Sequence, residues 1–286
     1  MNLAGAARPT RLRLIIVTAV LAVAGLLAAT TQAASARTGA QHVSRWDGGT
    51  KPVIVLEHGA WADASSWSKV IRQLQEDGFT VDAPPNPLRG VTYDSTYLAD
   101  FLSTISGPIV LVGHSYGGFV TTNAATGNPN VKALVYVDAF IPDQGETLLG
   151  LTNAQPGSCV GENALNFVPY PDPAVTGDVD VYLKPSLVPS CFANGLPPSQ
   201  AAVIAATERP LAASALQEPS GPPAWKTIPS WDVIGTADQA LPPAEQKFMA
   251  QRAGAHITEV NAGHLSMIAD PETVAQVIEQ AAQATS

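Results

Sequence analysis

The sequence predicts an α/β protein with a mostly parallel central sheet flanked by helices. Short unbroken apolar runs rich in Val and Ile alternate with stretches of helical periodicity. Strands without polar alternation are buried on both faces, and such strands form parallel sheets covered by helices. The chain has 286 residues, 46% hydrophobic and 14% charged, so apolar material suffices for a large core.

Residues 1–36 read separately, as a signal peptide. Arg8, Arg11 and Arg13 form a basic front, an apolar run covers residues 14–29, and Ala34-Ser35-Ala36 supplies the small residues of a cleavage site, with Ala33 as an alternative. The run is short for a membrane span, which needs ~20 residues. Cleavage near Ala36 is therefore favoured over an uncleaved anchor, and the mature protein is expected outside the cell. Removing this segment takes away three arginines and no acids, moving the formal charge from −9 to −12. An acidic chain without a basic patch is a poor partner for nucleic acid, and anionic lipid surfaces repel it. No stable membrane association is expected after signal removal.

Residues 37–286 read as one domain behind a polar lead-in over 37–50. PVIVLE at 52–57 is the first strand, broken by His58-Gly59-Ala60. Asp63 caps a helix over 64–76, with Trp67, Val70, Ile71 and Leu74 at helical spacing. Asp77-Gly78 ends it, and a short strand covers 79–82. The rhythm repeats with a helix over 93–105, the strand PIVLV at 108–112, a helix over 117–125 and a strand over 131–137. Between about 141 and 228 it fails. That stretch carries many Pro and Gly residues, scattered aromatics and only weak helical segments such as 199–206, and reads as an insertion over one end of the sheet. The alternation then resumes: strand WDVIG at 231–235, helix over 243–252, strand over 256–260 and closing helix over 271–284, with Asp270 as its cap.

The sharpest chemical signal is Gly113-His114-Ser115-Tyr116-Gly117-Gly118, between a buried strand and a helix. A Gly-x-Ser-x-Gly alone is weak, but a tight strand-to-helix turn lifts a serine hydroxyl above the sheet edge, and the flanking glycines let neighbouring chain pass. A hydroxyl needs a base to become a nucleophile. Of the five histidines, His264 in Asn261-Ala262-Gly263-His264 follows the last strand, at the same sheet edge as Ser115. His58 reads as shaping its own loop, His114 as pointing away from Ser115, His42 as lying in the lead-in and His256 as starting a strand. The imidazole needs a carboxylate partner. Asp238, after WDVIG, gives the chain order Ser, Asp, His; Asp138, after the strand over 131–137, is the rival. For a tetrahedral oxyanion, one donor is the backbone N–H of Tyr116 and the other comes from the loop after the first strand, Ala60 first and Trp61 second.

The block motifs HGAWADASSW at 58, APPNPLRG at 83, GHSYGG at 113, VYVDAFIPDQGE at 135 and NAGHLSMI at 261 resemble a bacterial branch of the α/β-hydrolase superfamily, similar to plant methyl esterases and hydroxynitrile lyases. The resemblance covers residues 52–284. It implies the α/β-hydrolase fold, a cap insertion and the same triad and oxyanion residues. Lyases of this group carry a lysine after the catalytic histidine; here that residue is Leu265, which points to ester hydrolysis. An uncharged, partly apolar ester of small or medium size is the expected substrate, with no metal or organic cofactor. A cyanohydrin-type lyase and a non-catalytic binding protein are the alternatives. Glu57 is unusual at a strand end that is commonly apolar.

Cys159 and Cys191 both lie in the exported part, where a disulfide is favoured over two free buried thiols. The mature N-terminus is expected between residues 34 and 38; mass spectrometry of secreted protein retaining Met1 would contradict the cleavage.

Overall fold

The computed structural model describes residues 49–170 and 177–285. The segment read as a signal peptide, His42 and most of the lead-in lie outside the described residues. In chain order the regular elements are β1 Val53–Glu57, α1 Ser68–Glu76, β2 Thr80–Asp82, α2 Val91–Ser103, β3 Ile109–His114, α3 Gly117–Ala124, β4 Val131–Val137, α4 Leu148–Thr152, β5 Leu165–Pro169, β6 Val179–Leu183, α5 Pro198–Ala206, β7 Leu211–Ala212, β8 Ser230–Gly235, α6 Pro243–Ala253, β9 His256–Val260, α7 Ser266–Ala269 and α8 Pro271–Ala284.

Six strands form one sheet in the order β2-β1-β3-β4-β8-β9, all parallel. β3 is buried along its whole length and β4 along all but Lys132. That explains their unbroken Val, Leu and Ile runs: neither face meets water. From β1 the chain steps outward to β2, then returns across β1 to β3. Right-handed crossovers place α1 and α2 on opposite faces as the direction reverses. α1 packs on α8, and α2 on α3. The reversal opens a crevice beyond the carboxyl ends of β1 and β3, where open α/β sheets bind ligands.

Local chemistry adjusts several boundaries. Asp63 accepts the Ser65 amide at 2.7 Å, but the first turn it caps, Ala64–Trp67, is a 3₁₀ helix. α2 starts two residues before the expected position because the Asp94 carboxylate accepts the amides of Arg89 and Gly90 at 2.9 and 3.3 Å, neutralising a helix start. Asp270 caps α8 by accepting the Thr273 amide.

The stretch between β4 and β8 carries more structure than its composition suggests. β5, β6 and β7 form an antiparallel sheet. Its tie to the core is specific: Arg89 pairs with Asp180 at 2.8 Å and donates to the Pro210 carbonyl, and the Trp61 indole donates to the Val181 carbonyl at 2.8 Å. Among the described residues no helix is long and apolar enough to cross a membrane.

Cys159 and Cys191 form a disulfide, with Cα atoms 5.8 Å apart and a sequence separation of 32. The bridge joins two cap segments that each touch the sheet edge: the Cys159 amide donates to the Gln239 carbonyl at 2.8 Å, and the Asn194 side chain donates to the Ala237 carbonyl at 2.8 Å. Opening a loop of this length is expected to cost about 3–4 kcal/mol, lowering the melting temperature by roughly 10 °C. Thermal melts with and without reductant measure it; coincident melts would show that the bridge carries no stability.

Candidate active site

Three sheet-edge loops converge. Ser115 follows β3 with φ +53°, a left-handed conformation that strains a residue with a side chain. The turn is possible because its glycines leave no room for anything larger. A Cβ on Gly113 would sit 2.6 Å from the Thr121 hydroxyl, and one on Gly117 would sit 2.7 Å from the Glu57 carbonyl. The sharp turn aims the Ser115 side chain along the sheet edge rather than into the core.

His264 Nε2 lies 2.9 Å from Ser115 Oγ, and His264 Nδ1 lies 2.7 Å from Asp238 Oδ2. In this arrangement the Ser115 hydroxyl donates to Nε2 and the Nδ1 hydrogen to the carboxylate. All three residues are buried. Burial opposes a charge on the His264 imidazole, but the adjacent Asp238 carboxylate outweighs it and leaves the pKa above 6.5. Asp238 is itself held by four donors. Oδ1 accepts the amides of Ala240 and Leu241 at 2.8 and 3.0 Å, and Oδ2 accepts Gln246 Nε2 at 2.7 Å in addition to the imidazole.

The candidate oxyanion donors separate. Among the described residues the amides of Ala60 and Tyr116 meet no internal acceptor, and both residues line the same pocket as Ser115. The Trp61 amide donates to the Arg209 carbonyl at 2.9 Å. That bond corrects the expectation for Trp61, whose N–H is already committed to the cap.

His58 and His114 are structural partners. His58 Nδ1 donates to the Gly59 carbonyl at 2.9 Å and Nε2 accepts the Asn86 amide at 3.0 Å, so the ring shapes its loop. Burial lowers its pKa to about 4, leaving it neutral. His114 Nε2 donates to the His264 carbonyl at 2.9 Å, so its ring holds the His264 backbone. Asp138, the rival acid, does not touch the imidazole. It accepts the Gly235 and Ser266 amides and the Ser266 hydroxyl.

Gln246 and Ser266 went unnoticed in the sequence, as did the bond from His114 to the His264 backbone. Gln246 lies within a helix and Ser266 opens one, and neither spacing nor composition marks them. Of the cap aromatics, Phe192 reaches the site, with its ring 5.3 Å from His264 and 6.0 Å from Trp61. Phe167 is exposed, Tyr170 sits against Arg89, and the Trp225 indole donates to the Pro142 carbonyl. The pocket over Ser115 is lined by Phe140, Leu148, Val160, Leu216 and Leu241. Glu57 ends β1 as a buried acid with no partner for either oxygen among the described residues. Burial, reinforced by the Asp94 charge, raises its pKa well above 4.5 and favours the neutral form. Among the described residues no group of three His, Cys, Asp or Glu side chains is arranged to hold a metal ion.

Comparison with known proteins agrees with this architecture. A carbendazim hydrolyzing esterase from Nocardioides sp. (strain SG-4G) is 35% identical over 112 residues, covering 34% of this chain and 46% of that protein. Methylesterase 7 of Arabidopsis thaliana is 35% identical over 105 residues, covering 32% and 40%. The chain thus matches less than half the length of either relative. The crystal structure of polyneuridine aldehyde esterase superposes with a TM-score of 0.68 at 19% identity, covering 81% of this chain and 99% of that one. The resemblance to plant methylesterase-like proteins holds, and the fold is the α/β-hydrolase fold. The model of the "Alpha/beta hydrolase family" matches residues 53–277, every strand of the central sheet included, and the chain belongs to that family.

Proposed function

We propose that this chain is a serine esterase that cleaves small, uncharged carboxylic esters through an acyl-enzyme. The observation that carries the reading is the buried row from Ser115 Oγ through the His264 ring to Asp238, at 2.9 and 2.7 Å. Relatives named as esterases support the reaction class.

Ser115 Oγ attacks the ester carbonyl carbon while His264 Nε2 takes its proton. The amides of Tyr116 and Ala60 receive the oxyanion, and Asp238 balances the imidazolium. Collapse breaks the carbon–oxygen bond to the alcohol, which leaves with the proton from His264. Water then enters by the same route: His264 takes its proton, hydroxide adds to the acyl carbon, and the acid departs as the proton returns to Ser115. No step needs an electron donor or a metal. The apolar lining over Ser115 favours a substrate without charge. The basic and apolar N-terminal segment, together with a disulfide, supports export of the enzyme.

Ser115→Ala is expected to reduce hydrolysis of short p-nitrophenyl esters by ~10⁴-fold or more; undiminished turnover would refute the mechanism. The base must be neutral to accept a proton. Because the His264 pKa lies above 6.5, kcat/KM is expected to rise with pH through a midpoint above that value. A pH profile with its midpoint near 4 to 5 would point to another base.

A further inference from the structure

Asp138 is one of several buried acids that the proposed reaction does not use. It ends β4 with φ +47°, a left-handed conformation shared among the described non-glycine residues with Trp61, Leu88 and Ser115. Strain of this kind persists only where surrounding structure enforces it. Here three bonds do. Oδ1 accepts the Gly235 amide at 2.8 Å and the Ser266 hydroxyl at 2.9 Å, and Oδ2 accepts the Ser266 amide at 2.8 Å.

These partners are not scattered. Gly235 ends β8, three residues before Asp238, and Ser266 lies two residues after His264. The backbone around Asp138 also grips the serine turn: the Ser115 amide donates to the Val137 carbonyl, and the Phe140 amide donates to the Ser115 carbonyl at 3.3 Å. One short segment thus touches the loops that carry all three members of the row. A Cβ on Gly235 would sit 2.8 Å from Asp138 Oδ1, so that loop closes onto the carboxylate without space to spare.

We infer that Asp138 is a positioning residue, a second buried carboxylate that fixes the Asp238 and His264 loops in register with Ser115 and supports the positive charge on His264 from behind. The inference rests on the proposed Ser115–His264–Asp238 reading. Its electrostatic part follows from what surrounds each group. Asp138 faces Asp238, His264 and Asp232; His264 faces Asp238, Asp138 and His114. Burial, then the Asp238 charge, raises the Asp138 pKa to about 7, while His264 and the Ser266 donors pull it down. The Asp138 anion favours the imidazolium, so removing it lowers the His264 pKa.

The test compares Asp138→Asn and Ser266→Ala with the wild-type chain in p-nitrophenyl ester hydrolysis, each variant first checked by thermal melt. Asp138→Asn is expected to lower kcat about tenfold or more while KM changes less than about threefold. Its acid limb in kcat/KM is expected to move about half a pH unit or more to lower pH. A folded Asp138→Asn with its acid limb where the wild type has it, or with kcat unchanged, overturns the inference. If Asp138→Asn does not fold, Ser266→Ala decides: a several-fold fall in kcat at unchanged KM supports the tie, and wild-type kcat overturns it. Turnover persisting in Ser115→Ala would sink the triad itself. An inactive Ser115→Ala beside an unmoved Asp138→Asn profile sinks only this inference.

Discussion

A buried imidazole held between a hydroxyl and a carboxylate is the constraint that organises this molecule. His264 and Asp238 have almost no contact with solvent, so an unpaired polar atom there would cost several times an ordinary hydrogen bond. The donors bonded to the pair answer that demand. Gln246 and two loop amides complete Asp238, His114 holds the His264 backbone, and the parallel sheet ends three of its strands at one edge so that the loops can meet. The fold supplies convergence, and buried hydrogen bonds supply register.

The cap takes part in that arrangement. Trp61 donates its amide to the Arg209 carbonyl and its indole to the Val181 carbonyl, fastening the loop beside Ala60 to the insertion. Phe192, next to the disulfide at Cys191, lies against both Trp61 and His264. The disulfide-joined segments also donate to carbonyls on either side of Asp238. A cap tied to the loops that carry His264 and Asp238 couples the shape of the pocket to the geometry of the pair.

Much of this was legible in the residues. Unbroken apolar runs such as PIVLV mark β3 because only a strand covered on both faces needs no polar alternation. The glycines around Ser115 mark the turn because no other residue fits its close approaches. Strand-end positions brought out Asp238 and His264, since a parallel sheet sends every such loop to one edge. What stayed hidden depended on contacts distant in sequence. The cap sheet pairs short, partly exposed strands whose alternation is weak, and β7 has two residues. By position Trp61 could serve as an oxyanion donor, but its amide donates to the Arg209 carbonyl, and nothing local announces that bond. Gln246, His114 and Ser266 matter only because of what folds against them.

The most direct measurement of the central claim is labelling with a fluorophosphonate probe followed by peptide mass spectrometry. The probe reacts with a serine only when a neighbouring base has activated it. Modification confined to Ser115, and lost in His264→Ala, is the expected result. A folded protein that takes up no label, or carries it on a different serine, would contradict the reading of Ser115, His264 and Asp238 as one catalytic row.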